Sequence, residues 1–256
     1  MDASGPFSLA NKSLLITGAS SGIGRQCAIR ASECGANVIL WGRNADRLKE
    51  TEDAISRKVT CRAYPLDLTK MDAIEKAVES IKRDNVKIHG LVHSAGVSGT
   101  LPFRMVTPEK MESIFRINTV AAMHLTRCAL SSSLFEPETG SIVFMASVMG
   151  TVGENGKTLY SMSKGAIIAG ARSLALELAK RRIRVNSIVA GVVDTPMSRN
   201  AVYSSDPESR ARVASLHPFG IGQADDVAYA CMFLLSDASR WITGSNLIVD
   251  GGYTAR

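Results

Sequence analysis

Short apolar stretches alternate with longer amphipathic segments along the whole of this 256-residue chain. The apolar stretches are nearly continuous runs of β-branched and aliphatic residues, which is typical of strands buried on both faces of a parallel sheet. They predict strands at residues 13–17, 37–41, 59–64, 90–93, 141–145, 184–189 and 246–249. The amphipathic segments predict helices at residues 23–34, 45–57, 71–83, 108–133, 158–180 and 225–236. This alternation predicts an α/β fold, with a single doubly wound parallel sheet of about seven strands and helices on both faces.

Local signals mark several helix boundaries and give no sign of a second domain. Thr69 and Asp72 have the spacing of a capping box, and Thr107 precedes a proline that suits the first helical position. Gly35 is expected to close the first helix as a left-handed cap. No internal repeat or low-complexity linker divides the chain. We therefore expect residues 1–256 to form one domain.

Charge and composition disfavour several classes of protein. The net charge is +6, but the 30 Lys and Arg are dispersed apart from a run at 180–182, and aromatic residues are only 5%. A solvated basic face explains this better than a nucleic-acid site, which uses basic stretches interleaved with stacking aromatics. No apolar run reaches the ~18 residues of a membrane span, and the first residues lack the features of a signal peptide. We expect a cytoplasmic protein that binds neither nucleic acid nor membrane.

The cysteines and histidines do not suggest a metal site. The five cysteines include no CxxC pair, and their odd number fits reduced thiols in the cytoplasm. The four histidines share no close helical spacing with carboxylates. We therefore expect no catalytic metal.

A glycine-rich turn, TGASSGIGR from residue 17, follows the first predicted strand and opens the first predicted helix. Gly18 permits a tight turn, Gly22 lets the backbone approach a pyrophosphate, and Gly24 lets helix and strand pack closely. The helix N-terminus offers free N–H groups and a partial positive charge to phosphates. The strand–turn–helix context favours this interpretation over a merely flexible turn. We predict a Rossmann fold whose dinucleotide site includes Gly18, Ser20, Ser21, Gly22, Ile23 and Gly24.

The end of the second predicted strand indicates which dinucleotide is bound. A residue about 20 positions beyond the glycines reads the adenosine ribose, and a carboxylate there repels a 2′-phosphate. Here the strand leads into Gly42, Arg43 and Asn44, with no acidic side chain at its tip. The planar guanidinium of Arg43 suits a bidentate phosphate contact, with Arg25 or Ser20 as a second contact. A solvated loop arginine is the alternative, but we predict NADP(H) in preference to NAD(H).

A second cluster of candidate residues lies in the later half of the chain. Ser147 follows the strand at 141–145, and Tyr160 and Lys164 occupy helical positions i and i+4, which share one face. A phenol has a pKa of about 10, and a nearby ammonium lowers it by favouring the phenolate. Such a tyrosine exchanges a proton with a carbonyl or alcohol oxygen, which Ser147 can also hydrogen-bond. Taken alone, a Tyr-x3-Lys pair is equally consistent with an ordinary helix surface.

Together with the glycine turn, this cluster resembles the short-chain dehydrogenase/reductase family over essentially the full length of the chain. The matching motifs, in order, are TGASSGIG at 17–24, Asp67-Leu68, HSAG at 93–96, INTVAAM at 117–123, Ser147, Tyr160, Lys164, RVNS at 184–187, DTPM at 194–197, ITGS at 242–245 and VDGG at 249–252. Within the family, the chain is most similar to the 3-oxoacyl-carrier-protein reductase-like branch, which covers many substrates.

The resemblance implies roles for four residues in catalysis. Tyr160 would be the general acid/base and Ser147 would orient the carbonyl. Lys164 would tune Tyr160 and bond the nicotinamide ribose, while Asn118 would hold a water that links Lys164 to solvent. Tyr160, Lys164 and Asn118 thereby also belong to the predicted cofactor site.

The resemblance also assigns cofactor contacts beyond the glycine turn. The adenosine half would be bordered by Asp67, Leu68, Ala95 and Gly96. The stretch 191–195, through Gly191, Val193 and Thr195, would contact the nicotinamide, with Val193 at its carboxamide.

Two positions depart from the family pattern. His93 and Ser94 stand where the family often has two asparagines, and we expect His93 to be a structural hydrogen-bonding residue rather than a catalytic one. Ala190 stands where the family usually has a proline, which frees the backbone beside the nicotinamide site. Neither change removes a reacting group.

Residues 194–222 form a long polar stretch after a strand end, which predicts a substrate lid with one or two short helices. Residues 98–103, 149–155 and Tyr203 are expected to help shape the pocket. Met149 is predicted to contact the substrate together with Ser147 and Tyr160. Other candidates for pocket residues are the apolar Val152, Met197 and Val202, and the basic Arg104, Arg199, Arg210 and Arg212, although core packing and solvated surface explain them as well.

These features predict an NADP-dependent oxidoreductase that transfers hydride between NADP(H) and a small-molecule carbonyl or secondary alcohol, with a 3-oxoacyl thioester as one candidate. A dehydratase or epimerase on the same fold is an alternative, and it would regenerate its cofactor in each turnover. A catalytically silent NADP-binding sensor or scaffold is another, although the Ser–Tyr–Lys set is intact. The resemblance implies a homotetramer. The apolar segment 167–171 is consistent with that, although burial within one subunit explains it equally well.

Overall fold

The computed structural model describes residues 5–136, 139–201 and 206–255. In these ranges seven parallel strands form one sheet, in the order β3-β2-β1-β4-β5-β6-β7. The strands are β1 (Ser13–Thr17), β2 (Asn37–Gly42), β3 (Cys61–Pro65), β4 (Gly90–His93), β5 (Ser141–Met145), β6 (Arg184–Ala190) and β7 (Asn246–Val249). The order reverses between β1 and β4, where open α/β sheets bind their ligands. The predicted doubly wound sheet is confirmed.

Nine α-helices lie in the same ranges and cover both faces of the sheet. They are α1 (Gly22–Glu33), α2 (Ala45–Asp53), α3 (Met71–Arg83), α4 (Pro108–Phe115), α5 (Ala121–Ser131), α6 (Thr158–Leu178), α7 (Pro196–Arg199), α8 (Pro207–Ser215) and α9 (Ala224–Leu235). Among the described residues, no helix is both long enough and apolar enough to cross a membrane.

The core has two halves, one on each face of the sheet, because successive side chains of a strand point in opposite directions. Leu14 of β1 packs with Ala28 of α1 and Val227 of α9 on one face. The next residue, Leu15, belongs to the other half, where Ile167 of α6 and residues of α3 and α5 are buried. Because the strands are parallel, the carboxyl ends of β1, β4, β5 and β6 lie along one edge of the sheet.

Several element boundaries differ by a few residues from the predicted ones, and side-chain hydrogen bonds lie at two of them. The third strand begins at Cys61 instead of residue 59, because Asn37 Oδ1 accepts a hydrogen bond from the Thr60 N–H. The second helix ends at Asp53 instead of residue 57, where the Ser56 N–H donates to Ser32 Oγ of α1.

Both caps predicted before helices were tested by the structure, with different outcomes. The capping box at 69–72 is wrong, because Thr69 Oγ1 donates to Asp67 Oδ1 at 2.8 Å and Lys70 occupies the N-cap of α3. The cap of α4 is confirmed, since Thr107 Oγ1 accepts a hydrogen bond from the Lys110 N–H. Gly35 has φ +92° after α1, as expected for a left-handed helix end.

The predicted helix at 108–133 is interrupted by a π-helical turn at Arg116–Val120 and ends at Ser131. Asn118 lies inside this turn and is buried. Its side chain forms hydrogen bonds with Val97 in the loop after β4. These bonds accompany the wider π-helical turn, in which each hydrogen bond spans one residue more than in an α-helix. The predicted helix at 158–180 likewise ends earlier, at Leu178, and continues as a 3-10 turn at Ala179–Arg181.

Candidate active site

The glycine turn after β1 has the geometry of a phosphate cradle. Gly18 has φ +69°, and a Cβ there would lie 2.8 Å from the Ala95 backbone nitrogen. A Cβ on Gly24 would lie 2.4 Å from the Gly18 carbonyl oxygen, so only glycine lets α1 approach β1 this closely. The N-cap Ser21 makes no side-chain cap, and the first turn of α1 holds no acidic residue. The N–H groups at this helix start therefore have no side-chain acceptor from the N-cap and suit an anion.

A cleft of about 600 Å³ runs from this cradle along the carboxyl ends of the strands. Most of the predicted cofactor residues line it, namely Gly18, Ser20, Ser21, Gly22, Ile23, Arg43, Leu68, Ala95, Gly96, Tyr160, Lys164 and Thr195. Its size is that of an ordinary small-molecule site. The residues at hand therefore fit a dinucleotide.

Arg43 lies at the adenosine end of the cleft, and a second arginine accompanies it there. Arg47 lines the same part of the cleft and was not predicted. Its backbone N–H donates to Asn44 Oδ1 at 2.8 Å, which places it in the first turn of α2 beside Arg43. Arg25 does not line this cleft, since its guanidinium is 3.4 Å from Glu50 Oε2. The sequence contains one signal for Arg47. It lies three positions after Asn44, a residue type that favours the N-cap, so it is expected in the first turn of a helix.

Other predicted cofactor residues lie next to the cleft rather than in its wall. Gly24 is covered by the Gly18 carbonyl. Asp67 Oδ1 accepts hydrogen bonds from the Thr69 N–H and hydroxyl, and these bonds lower the pKa of the carboxyl. Gly191 and Val193 line a second, adjoining cavity instead.

Tyr160 lies at the junction of the dinucleotide cleft with a second cavity, and it lines both. The Nζ atom of Lys164 is 5.8 Å from the centre of the Tyr160 ring. Lys164 is buried and its ammonium donates to the Met145 carbonyl oxygen at 2.7 Å, at the end of β5. Burial lowers the pKa of Lys164 to about 8. An ammonium is thus held between the phenol ring and the cleft, with N–H groups to spare for a ligand.

Ser147 stands beside Tyr160 in the wall of the second cavity. It caps the 3-10 turn Val148–Gly150, and its Oγ accepts a hydrogen bond from the Met149 N–H at 3.2 Å. This bond orients the hydroxyl and leaves its hydrogen available to a carbonyl oxygen in the cavity.

Asn118 lies behind the cleft and joins the loop after β4 to α6. Its Oδ1 accepts from the Val97 N–H, and its Nδ2 donates to the Val97 carbonyl and to Ser163 Oγ. A Cβ on Gly96 would lie 3.0 Å from Asn118 Oδ1 and 3.6 Å from Lys164 Nζ. Both amide hydrogens are therefore used, and Asn118 is a packed neighbour of Lys164.

The second cavity lies between Tyr160 and the segment predicted to form a lid. In the described part of that segment, α7 and α8 are the two short helices. Met197, Ala201, Val213 and Leu216 from this segment line the cavity opposite Met149. Val152 is not among the lining residues, and Val202 and Tyr203 lie outside the described residues. Arg199 pairs with Asp194.

The lining also includes Lys157, which sequence reasoning did not single out. Lys157 precedes α6 as its N-cap and is 6% exposed. Its position three residues before Tyr160 was the signal that the sequence offered. Glu154 is the other charged residue of this lining.

Two buried histidines have structural bonds. His93 Nε2 lies 2.8 Å from Thr126 Oγ1, whose hydrogen goes to the Ala122 carbonyl, so the imidazole is the donor. Burial lowers the pKa of His93 to about 3, which keeps it neutral. His217 Nε2 accepts from the Val192 N–H at 3.1 Å, and its Nδ1 lies 2.9 Å from the Val213 carbonyl of α8. His217 thus ties the lid segment to the strand end beside the cavity.

One group of potential metal ligands lies away from this site in the described chain. His124 Nε2 is 3.4 Å from Glu75 Oε1 and 3.6 Å from Cys128 Sγ. Arg127 also binds the Glu75 carboxylate, at 3.2 Å. The side chains of Glu75, His124 and Cys128 thus contact one another, and Arg127 also contacts the Glu75 carboxylate.

Known proteins resemble this sequence over nearly its whole length. A family profile described as enoyl-(acyl carrier protein) reductase matches residues 18–254. The 3-oxoacyl-[acyl-carrier-protein] reductase FabG of Thermotoga maritima is 32% identical over 248 residues, which cover 95% of this chain and 98% of that protein.

Two solved structures match the fold closely. A short-chain type dehydrogenase/reductase from Mycobacterium marinum has a TM-score of 0.90 and 27% identity, covering 98% of each chain. A Beutenbergia cavernae protein, provisionally described as an NAD(P)-dependent gluconate 5-dehydrogenase with NADP bound at low occupancy, has a TM-score of 0.88 and 30% identity. That match covers 98% of this chain and 100% of the other.

Proposed function

Because this chain belongs to the short-chain dehydrogenase/reductase family, in its 3-oxoacyl-carrier-protein reductase-like branch, we propose that it is an NADP-dependent oxidoreductase acting on a carbonyl or secondary alcohol. The observation that carries the proposal is the position of Tyr160. It lines both the dinucleotide cleft and the second cavity, and the ammonium of Lys164 lies 5.8 Å from its ring. NADPH supplies the hydride when it is bound.

The protein side of the reaction is proton transfer and orientation. Tyr160 gives its hydroxyl proton to the carbonyl oxygen during reduction, and the positive charge of Lys164 favours the phenolate that results. Ser147 donates a hydrogen bond to the same oxygen and fixes the carbonyl against Tyr160. Asn118 holds Val97 in place through two hydrogen bonds. Because its amide hydrogens are already used, we assign the water that links Lys164 to solvent to its oxygen atoms, which can accept further hydrogen bonds.

The adenosine end of the cleft supports a preference for NADP(H) over NAD(H). Arg43 and Arg47 both line it and offer two guanidinium groups to a 2′-phosphate. The Asp67 carboxylate accepts two hydrogen bonds from Thr69 and does not line the cleft, so it does not repel a 2′-phosphate at close range. We propose that it borders the adenine from outside the cleft wall. The NADP in the Beutenbergia cavernae structure is consistent with this choice.

Arg43→Asp tests the cofactor preference. We expect the affinity for NADPH to fall at least tenfold and the affinity for NADH to change little or rise, because a charge-assisted phosphate contact is lost. Arg57→Asp, an exposed arginine outside the cleft lining, is the matched control. Equal affinities of the wild-type protein for NADPH and NADH would contradict the preference.

Turnover of carbonyl compounds tests the reaction itself. We expect the purified protein to consume NADPH in proportion to the alcohol formed when it is supplied with 3-oxoacyl thioesters, oxo acids, sugars, steroids, quinones or small ketones. Conversion of a substrate without net NADPH consumption would instead identify a dehydratase or an epimerase. Binding of NADPH without turnover of any carbonyl compound would favour a sensor or scaffold.

We propose that the protein is cytoplasmic and assembles into a homotetramer. Exposed apolar surface supports the assembly. Met162, Ala169 and Leu176 form an exposed stripe at seven-residue spacing along α6. Trp241 and Phe219 are more than nine-tenths exposed in the C-terminal part of the chain. The segment 167–171 gives less support than the sequence suggested, because its isoleucines are buried within the subunit.

A further inference from the structure

Lys157 is a buried cation in the wall of the substrate cavity. Its Nζ atom lies 6.0 Å from the centre of the Tyr160 ring, and only 6% of the residue is exposed. Tyr160 therefore has two ammonium groups near it, and they face different cavities. Lys164 lines the dinucleotide cleft, whereas Lys157 lines the cavity between Met149 and the lid segment.

Among the described residues, no carboxylate forms an ion pair with Lys157 and no acceptor takes a hydrogen bond from its ammonium. Its favourable interactions are with the Tyr160 ring and, at longer range, with the charge of Glu154. The carboxylate of Glu154 raises the pKa of Lys157 through its charge, but Glu154 is exposed and too distant to form an ion pair with it. Lys164, by contrast, has the Met145 carbonyl as a partner.

The position of Lys157 is unfavourable for a lysine in two further respects. Burial lowers the pKa of its ammonium, because the charged form loses its hydration. It is also the N-cap of α6, a helix of 21 residues whose dipole places partial positive charge at this end. An anion in the cavity beside Lys157 offsets the lost hydration through an ion pair, and it interacts favourably with the positive end of the helix dipole.

We propose that Lys157 determines substrate specificity by binding an anionic group, a carboxylate, that the substrate carries within a few bonds of its reacting carbonyl. This proposal rests on the oxidoreductase function proposed above and narrows its substrate class to oxo acids and the corresponding hydroxy acids. The short distance from Nζ to the Tyr160 ring requires the carboxylate and the carbonyl to belong to the same small part of the substrate. In a 3-oxoacyl thioester, the group next to the reacting carbonyl is an uncharged thioester, which cannot form an ion pair with Lys157.

The remaining lining agrees with a small acid. Met149, Val192, Met197 and Leu216 supply apolar walls, and Ser147 and Tyr160 supply the groups that hold the carbonyl oxygen. The carboxylate of Glu154 stands at the exposed side of the lining and disfavours a second negative charge there. One negative charge on the substrate, placed at Lys157, fits this arrangement.

The test compares linear 2-oxo and 3-oxo carboxylic acids with their methyl esters, which lack the negative charge and carry one additional methyl group. For the wild-type protein we expect kcat/KM to be higher for an acid than for its ester. In Lys157→Met, which keeps the length of the side chain, we expect this acid-to-ester ratio to fall at least tenfold, chiefly through KM of the acid. Lys157→Arg should retain most of the ratio, and Lys180→Met, an exposed lysine on a remote turn, should leave it unchanged.

Several outcomes would overturn the proposal. An equal loss of kcat/KM for acid and ester in Lys157→Met would mean that Lys157 acts on Tyr160 or on the fold. A wild-type preference for neutral esters or thioesters would exclude an anion at this position. Both results leave the proposed function intact, whereas a wild-type protein that reduces neither acids nor esters nor any other carbonyl compound would contradict the function itself.

Discussion

Replacing Lys164 by methionine should stabilise the protein while abolishing its activity. Lys164 is buried beside Tyr160, and burial lowers the pKa of its ammonium from 10.5 to about 8. At pH 7 the lysine is charged in both the folded and the unfolded chain, and this difference in pKa destabilises the folded state by about 3 kcal/mol. Methionine has a similar length and no charge. Loss of the hydrogen bond to the Met145 carbonyl costs about 1 kcal/mol, which leaves a net gain of about 2 kcal/mol.

The sign of the pH dependence follows from the same pKa. A lysine with a lowered folded-state pKa destabilises the protein fully below about pH 8, and the penalty is relieved as the pH rises toward 10.5. The stability advantage of Lys164→Met should therefore be largest near pH 7 and should shrink steadily between pH 8 and pH 10. Activity should be lost across this range, because the phenolate of Tyr160 has lost its neighbouring cation.

Urea unfolding without nucleotide, at pH 7, 8.5 and 10 and at one fixed protein concentration, measures this difference. Lys180→Met is the control, since an exposed lysine should change stability by less than about 0.5 kcal/mol. A Lys164→Met protein less stable than the wild type at pH 7 would refute the reasoning, as would an advantage that grows with pH. Either result would mean that the charge of Lys164 is well compensated without nucleotide.

Two further substitutions test the geometry around the site. Gly24→Ala should destabilise the protein by about 1–3 kcal/mol and weaken NADPH binding more than tenfold, because the new Cβ would lie 2.4 Å from the Gly18 carbonyl. Gly99→Ala, where a Cβ has nothing within 4 Å, is its control in urea unfolding and nucleotide titration, and equal behaviour of the two variants would contradict the close packing. His217→Ala should lower the free energy of unfolding by about 1–3 kcal/mol and raise KM for the carbonyl substrate more than the Kd for NADPH, since it removes bonds to Val192 and Val213. Unchanged KM and unfolding midpoint would show that His217 does not hold the lid segment.

The fold could be predicted because its signals are local and repeated. Buried parallel strands are short apolar runs, and β1, β4, β5 and β7 have the bounds that those runs predict. The π-helical turn around Asn118 could not be predicted, because it depends on bonds from that side chain to Val97, 21 residues earlier in the chain. The failed capping box has a local origin, since the Thr69 hydroxyl donates to Asp67, two residues earlier, instead of capping α3.

The candidate site was predictable where motifs are contiguous and unpredictable where the fold brings distant segments together. The glycine turn and the Tyr160–Lys164 pair each lie within one short stretch of sequence. Arg47 and Lys157 belong to no motif. Their spacing from Asn44 and Tyr160 is the only signal in the sequence, and the three-dimensional arrangement is needed to place them in the cleft and in the cavity. The role of His217 also needs the fold, because its two partners lie on different elements.

The central claim is that Tyr160 transfers a proton to the substrate beside bound NADPH, and single-turnover oxidation of NADPH by Tyr160→Phe tests it most directly. We predict that this variant binds NADPH with nearly the wild-type Kd, because phenylalanine keeps the ring between the two cavities. Its rate of NADPH oxidation with a carbonyl substrate should fall by about 10²–10⁴, the usual contribution of a general acid. A variant that binds NADPH and oxidises it within a few-fold of the wild-type rate would contradict the claim.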